Sequence, residues 1–177
     1  MKLFYRRYDS DSDGTPLVIL HGLFGGGDNW ATQAKELSSI VPVIAPDLPN
    51  HGSSPHTDRF DYPSVAAEVA SFLDGESIES CHLLGHSMGG KVAMSLALQQ
   101  PRRVRSLIVA DIAPKRYEGR HQREFEAMEA VRRSGAANRR EAERVMAEWI
   151  DNRAIRAFLL KNFRAVASGD GAGEAGR

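Results

Sequence analysis

The stretch LLGHSMGGKVAM, Leu83 to Met94, places a serine between glycines where an apolar run meets a helical pattern. The apolar run Cys81–Leu84 predicts a buried strand, and the stretch Gly89–Gln100 predicts a helix. A G-x-S-x-G motif in this context predicts a sharp turn that exposes the serine hydroxyl at the carboxyl edge of a sheet. Ser87 is therefore the candidate nucleophile.

Apolar runs and helical patterns alternate on both sides of this motif. The other predicted strands are Lys2–Tyr8, Leu17–Leu20, Val41–Ala45 and Arg103–Ala110. The other predicted helices are Ala31–Ser39 and Ser64–Leu73, the second with Ser64 as its N-cap after Pro63. This alternation indicates an α/β fold with a mostly parallel sheet covered by helices on both faces.

The pattern changes after the strand that ends at Ala110. Only helical periods follow from Arg120 to Val166, and the glycine-rich end of the chain is predicted to be disordered. We therefore divide the sequence into a core (1–114), a helical segment (115–166) and a tail (167–177).

Composition excludes several classes of function. The 177 residues carry 23 basic and 23 acidic side chains, so no net charge recruits nucleic acid or an acidic membrane surface. A single cysteine, Cys81, excludes an internal disulfide and any multi-cysteine metal site. No apolar segment is long enough to cross a membrane and no signal peptide precedes the first strand, which predicts a cytoplasmic protein.

A second glycine-rich loop follows the predicted strand Leu17–Leu20. In the stretch His21–Gly25, the backbone N–H of Leu23 can face the same point as the N–H of Met88, next to Ser87. Two such donors stabilise the oxyanion that forms during acyl transfer. The alternative is a flexible glycine-rich loop without a catalytic role.

The residues present argue against two other kinds of site. The stretch Gly85–Val92 differs by one residue from the phosphate-binding pattern G-x-x-x-x-G-K-[ST], because Val92 replaces the hydroxyl that binds Mg²⁺. A P-loop nucleotidase also leaves the His21 loop unexplained. No histidine pair has metal-ligand spacing with a supporting carboxylate, so no metal and no cofactor are predicted.

Four motifs together resemble one known family. HGLFGGGDNW, DLPNHGSSP, LLGHSMGGKVAM and LIVADIAP occur in this order between Leu17 and Pro114. They resemble the α/β-hydrolase family, in particular the small-esterase branch related to the ABHD11-type hydrolases. Pro49 departs from the pattern, since relatives usually carry arginine there.

The resemblance implies roles for individual residues. Ser87 would be the nucleophile, the Leu23 and Met88 N–H groups would form the oxyanion hole, and Asp111 matches the acid that some members place after the strand following the serine. Asp111 can equally cap the segment that follows it. The histidine of the family lies near the C-terminus, whereas the last histidine here is His121. We therefore expect the chain to be truncated before the catalytic base.

The predicted reaction is hydrolysis of carboxylic esters or thioesters through an acyl-enzyme, without a cofactor. The helical segment resembles the cap of the family, and its residues Phe125, Met128 and Trp149 suggest an apolar lining for a short or medium acyl group. We expect turnover to be impaired without the base, with His121 as a candidate substitute. The alternative is a hydrolase-fold module that binds without catalysis.

The strand Arg103–Ala110 is expected to form an exposed sheet edge through which chains dimerise or aggregate.

Overall fold

The computed structural model describes residues 1–119 and 121–165 of the chain. The chain divides into two compact units, Met1–Arg116 and Tyr117–Arg177. The first unit contains a sheet with its helices, and the described part of the second unit is helical. The predicted disordered tail, 167–177, lies outside the described residues, and the interpretation of the helical segment as a cap stays a prediction.

The strands of the first unit form one sheet. They are β1 Tyr5–Tyr8, β2 Leu17–Leu20, β3 Val43–Pro46, β4 Cys81–His86 and β5 Val104–Ala110. Their order in the sheet is β1-β3-β2-β4-β5. Only β1 is antiparallel to its neighbour, and the contacts between β2, β3, β4 and β5 are parallel. The prediction of a mostly parallel sheet is confirmed.

Helices connect the strands and form most of the described part of the second unit. Those of the first unit are α1 Ala31–Leu37, α2 Tyr62–Gly75 and α3 Met88–Gln99. Those of the second are α4 Gln122–Ser134, α5 Arg139–Ala147 and α6 Arg153–Leu159. Short 3₁₀ helices at Gly27–Trp30 and Leu160–Asn162 flank α1 and α6.

The central strands β2 and β3 are buried on both faces of the sheet, as their unbroken apolar sequences predict. In β2, Val18 and Leu20 point into a cluster with residues of α2 and α3, and both are fully buried. Leu17 and Ile19 point the other way and pack with Ala34 of α1. Successive side chains of a strand face opposite sides of the sheet, so four consecutive apolar residues supply two cores.

Several predicted boundaries are corrected by the structure. The N-cap of α2 is Asp61 and not Ser64, because the Asp61 carboxylate accepts the Ser64 backbone N–H at 2.8 Å. The helix thus begins at Tyr62, with Pro63 in its first turn, where a missing N–H costs nothing. The first strand begins at Tyr5 rather than at Lys2, and β3 is shifted toward the C-terminus to end at Pro46.

The strand β5 lies at one end of the sheet order. Its residues Leu107 and Ile108 are 38% and 50% exposed, although their types are those of a buried strand. The predicted sheet edge is therefore present in the first unit. Whether another chain pairs with it stays a prediction.

Within residues 1–119 and 121–165, no helix has both the length and the apolar character required to cross a bilayer.

Candidate active site

The parallel strands bring four sequence motifs to one edge of the sheet. His21 follows β2, Asp47 follows β3, Ser87 follows β4 and Asp111 follows β5. The carboxyl ends of parallel strands share one edge, which is where open α/β sheets bind ligands. The candidate site is therefore assembled from segments that are up to 90 residues apart in the chain.

Ser87 occupies a strained turn between β4 and α3. Its backbone angles are φ 52° and ψ −116°, a conformation that residues with a Cβ rarely adopt. The Ser87 N–H donates to the Ala110 carbonyl oxygen of β5 at 2.9 Å, which ties the turn to the sheet. The serine is half-buried, so its hydroxyl is not sealed within the core. Strain of this kind is found at functional positions more often than elsewhere.

The two glycines of the motif permit the close packing that the turn requires. A Cβ on Gly85 would lie 2.4 Å from the Gly89 carbonyl oxygen, and a Cβ on Gly89 would lie 2.3 Å from the Leu20 carbonyl oxygen. Both contacts are with backbone atoms, which cannot move aside. Any side chain at these two positions would therefore collide with the neighbouring helix or strand.

The glycine-rich loop after β2 lies beside this turn. A Cβ on Gly22 would be 3.4 Å from the Ser87 Cβ, and Leu23 is the next residue along the loop. Phe24 has a positive φ of 63°, and the Gly25 N–H donates to the Gly22 carbonyl oxygen at 3.0 Å, so the loop turns tightly. Met88 opens α3, and the first N–H groups of a helix have no intrahelical acceptor.

Asp47 anchors the glycine-rich loop to the loop after β3. Its buried carboxylate accepts the Gly27 N–H at 2.7 Å, the Ser53 N–H at 2.9 Å and a guanidinium N–H of Arg6 at 3.1 Å. A Cβ on Gly52, where φ is +56°, would lie 2.1 Å from the Asp47 carboxylate. Sequence reasoning gave Asp47 no role. Its position directly after an apolar run, in the stretch DLPNHG, is the sequence signal that could have identified it.

His21 joins the same two loops from inside the molecule. Its Nε2 accepts the Leu48 N–H at 2.9 Å, and its Nδ1 lies 2.8 Å from the Gly22 carbonyl oxygen. The Nδ1 must therefore carry the proton. Burial lowers the pKa of His21 to about 4, so the ring is neutral at pH 7. The ring of His21 therefore holds the glycine-rich loop and the loop after β3 together.

His51 also bonds the backbone of its own loop. Its Nδ1 lies 2.9 Å from the Pro49 carbonyl oxygen, and its ring centroid lies 5.1 Å from that of His21. Burial lowers the pKa of His51 as well. The Pro49 carbonyl oxygen thus positions this ring.

Asp111 lies beside a histidine, although not the one that the resemblance implies. Its carboxylate is 3.8 Å from Nε2 of His86, the residue directly before Ser87. The Asp111 side chain is 88% exposed and its backbone has a positive φ of 55°. Its predicted role as the acid of a catalytic triad stays a prediction.

The remaining candidates belong to the second unit. His121 is the N-cap of α4, with its Nδ1 3.5 Å from a Glu124 carboxylate oxygen. Phe125, on α4, is 51% exposed. The roles predicted for His121, Phe125, Met128 and Trp149 stay predictions. No group of three or more His, Cys, Asp or Glu side chains able to hold a metal ion occurs among the residues that the structure describes.

A strained serine between a strand and a helix, at the carboxyl edge of a mostly parallel sheet and beside a glycine-rich loop, defines the α/β-hydrolase class. The family model described as the alpha/beta hydrolase fold matches residues 15–158, and the chain belongs to that family.

Individual relatives agree with this assignment. The chain is 36% identical to esterase YbfF of Escherichia coli over 166 residues, which cover 92% of the chain and 65% of that protein. It is 41% identical to the sn-1-specific diacylglycerol lipase ABHD11 of Xenopus laevis over 172 residues, covering 90% of the chain and 54% of the lipase. A solved structure of a marine microorganism esterase superposes with a TM-score of 0.89 at 41% identity, covering 95% of the chain and 66% of that structure. The chain thus spans about half to two thirds of these relatives.

Proposed function

We propose that the protein hydrolyses carboxylic esters or thioesters through a covalent acyl-enzyme on Ser87. The observation that carries the proposal is the strained backbone of this serine, at φ 52° and ψ −116°, with the glycine-rich loop alongside. The names of its relatives, esterase and lipase, support the same chemistry. Serine at this position excludes the branch of the family that uses an aspartate nucleophile.

The reaction would proceed in two steps. Ser87 Oγ attacks the acyl carbonyl carbon while a base removes its proton, and the alkoxide or thiolate leaves with a proton. The N–H groups of Leu23 and Met88 donate to the carbonyl oxygen as it becomes an oxyanion, a contribution of about 2.7–4 kcal/mol for each donor in a comparable enzyme. Water then attacks the acyl-enzyme and releases the acid. Every step uses groups of the protein and water, so the proposal requires no cofactor.

The proposed substrate carries a short or medium acyl group. The helical segment offers apolar side chains, among them Met128 and Trp149, which suit a chain of that kind. Rates for p-nitrophenyl esters of two to twelve carbons test this, and a maximum among the longest chains would contradict it.

We propose further that the 177-residue chain turns esters over slowly. Its last histidine is His121, and loss of the base from a related triad lowers turnover by about 10⁶, while the oxyanion hole and binding retain roughly 10³–10⁴ over water. Hydrolysis of p-nitrophenyl acetate, compared with that of a complete esterase, measures this. Rates within about tenfold of the complete enzyme would refute it.

A fluorophosphonate probe distinguishes hydrolysis from binding without catalysis. The probe phosphonylates serine hydroxyls that are activated, so mass spectrometry should locate the adduct on Ser87. The control is Ser87→Ala, which removes only the hydroxyl. An unlabelled wild-type chain that is folded by circular dichroism would favour the non-catalytic module.

Nucleotide and Mg²⁺ binding, the test of the P-loop alternative, is expected to be absent in calorimetry.

A further inference from the structure

The second unit contains a cavity of about 290 Å³ among its own helices. The lining comes from α4 and the turn after it, from α5, and from the end of α6 with the 3₁₀ helix that follows. Its buried side chains are all apolar: Val131, Met146, Leu159 and Leu160. Phe125 and Trp149, two of the three residues predicted to line the acyl group of a substrate, do not belong to the lining. The cavity is therefore a candidate site in its own right.

The charge at this cavity has one sign. Within the part of the chain that the structure describes, the lining contains two charged side chains, Arg132 and Arg164, and no acidic one. The Nε and Nη2 groups of Arg132 donate to the Glu129 carboxylate at 2.7 and 2.6 Å, which balances its charge. Arg164 instead donates from Nη1 to the backbone carbonyl oxygens of Lys161 and Phe163, at 3.1 and 3.3 Å. Its charge is therefore not balanced by a carboxylate of the described residues.

An apolar interior next to an unbalanced guanidinium suits an amphipathic anion. The contacts of Arg164 use Nη1, and the Nε–Nη2 edge of a guanidinium is one that holds a carboxylate through two parallel hydrogen bonds. The volume of about 290 Å³ is at the lower end of the range for small-molecule sites, about 300–1,000 Å³. A single alkyl chain of medium length suits that volume, and a cation would be repelled by both arginines.

We propose that this cavity binds a carboxylate with an alkyl chain of about six to ten carbons. The chain lies among the buried apolar side chains, and the carboxylate accepts hydrogen bonds from Arg164 at the rim. Binding is non-covalent and reversible. The site goes beyond the proposed hydrolysis and does not depend on Ser87, although carboxylates are the class of product that ester hydrolysis releases.

The methionines of the chain report where such a ligand binds. Met128 and Met146 line the cavity, whereas Met88 and Met94 are on α3 of the first unit. In the full chain with ¹³C-labelled methionine methyl groups, decanoate should shift the Met128 and Met146 signals in a saturable way. The Met88 and Met94 signals should stay where they are. Single Met→Leu variants assign the signals.

The same titration with other ligands tests the chain and the head group separately. Affinity should rise about fourfold for each methylene added between hexanoate and octanoate, because each is withdrawn from water in the cavity. Acetate should produce no shift at millimolar concentration. Decanol, which has the same number of carbons but no charge, should bind about three- to tenfold more weakly than decanoate.

The variant that tests the carboxylate contact is Arg164→Gln. Arg164 is exposed, so the substitution leaves the packed interior unchanged. It should lower the affinity for decanoate about three- to tenfold and leave the affinity for decanol unchanged. The matched control is Arg153→Gln, which removes an exposed arginine from the first turn of α6, outside the cavity lining. Its affinities should equal those of the wild type.

Each contrary result overturns the inference without touching the proposed function. Shifts of Met88 at lower decanoate concentrations than shifts of Met128 would mean that the carboxylate binds beside Ser87. An absence of saturable shifts at millimolar decanoate would mean that the cavity takes no such ligand. Equal affinities for decanoate and decanol, or an Arg164→Gln chain that binds decanoate like the wild type, would refute the carboxylate contact. The proposed function is tested independently, by fluorophosphonate labelling of Ser87.

Discussion

A serine held at a positive φ stores strain that glycine in its place would release. The Ser87 backbone, at φ 52° and ψ −116°, is costly for any residue with a Cβ, by about 1–3 kcal/mol. We expect Ser87→Gly to be more stable to urea than Ser87→Ala by about 1 kcal/mol, since alanine keeps the Cβ. Equal stability of the two variants would mean that the turn is relaxed in solution.

The buried His21 makes stability depend on pH. Its pKa is about 4 in the folded protein, so between pH 6.5 and pH 4 the unfolded chain binds a proton that the folded protein does not. Stability is therefore complete above about pH 6.5 and falls as the pH decreases to 4, by about 3 kcal/mol for this group. His51, whose pKa is also lowered, adds to the fall in the same direction.

The comparison that isolates this effect is the pH dependence of urea unfolding in His21→Gln. The variant is less stable at pH 7 because it loses the hydrogen bonds of the ring, but its stability should decline less between pH 7 and pH 4. His56→Gln, which changes an exposed histidine, should keep the decline of the wild type. Parallel curves for His21→Gln and the wild type would contradict the prediction.

At the scale of elements, the contact of β2 with α3 depends on one glycine. A Cβ on Gly89 would lie 2.3 Å from the Leu20 carbonyl oxygen and 2.5 Å from that of His21, so α3 must move away from β2. We expect Gly89→Ala to lower the free energy of unfolding by about 2–3 kcal/mol. Thermal and urea unfolding of the purified variant measure the loss.

The matched control for this change is Gly75→Ala. Gly75 ends α2, is exposed, and has no atom within 4 Å of the point where its Cβ would stand. Alanine there should raise stability by about 0.5–1 kcal/mol, because it restricts the unfolded chain and favours the helix. If both variants are equally stable, the packing of α3 against β2 is looser than these distances indicate.

At the scale of the whole molecule, the exposed edge of β5 predicts association. A strand edge presents unpaired N–H and C=O groups, and β5 adds the half-exposed side chains Leu107 and Ile108. We expect the wild-type chain to form dimers or larger species in size-exclusion chromatography with light scattering. Ile108→Lys should shift it toward the monomer, because a lysine from each copy would meet at the shared edge.

The control is the same kind of substitution, an exposed apolar residue changed to lysine, at a position away from β5. Leu98 is on α3 and is 85% exposed, so Leu98→Lys removes an exposed apolar side chain away from the edge. It should leave association unchanged. A clean monomer of the wild-type chain at micromolar concentration would contradict the prediction.

The sequence by itself determined the features that depend on neighbouring residues. The turn at Ser87, the strands and helices on either side of it, and the need for Gly85 and Gly89 follow from a few consecutive residues, since strand, turn and helix propensities are local. Even here the sequence predicts Ser64 as the N-cap of α2 where the structure has Asp61, because either side chain can cap a helix and only the geometry distinguishes them.

Tertiary structure alone decided which distant groups meet at the edge of the sheet. The anchoring of two loops by Asp47 and the pairing of His86 with Asp111 depend on β3 lying beside β2 and on β5 lying beside β4. No local pattern encodes that order, because it is set by which strands bury their side chains most completely against the helices on both faces. A dozen consecutive residues are thus enough to predict the nucleophile, whereas the groups around it come together only when the sheet forms.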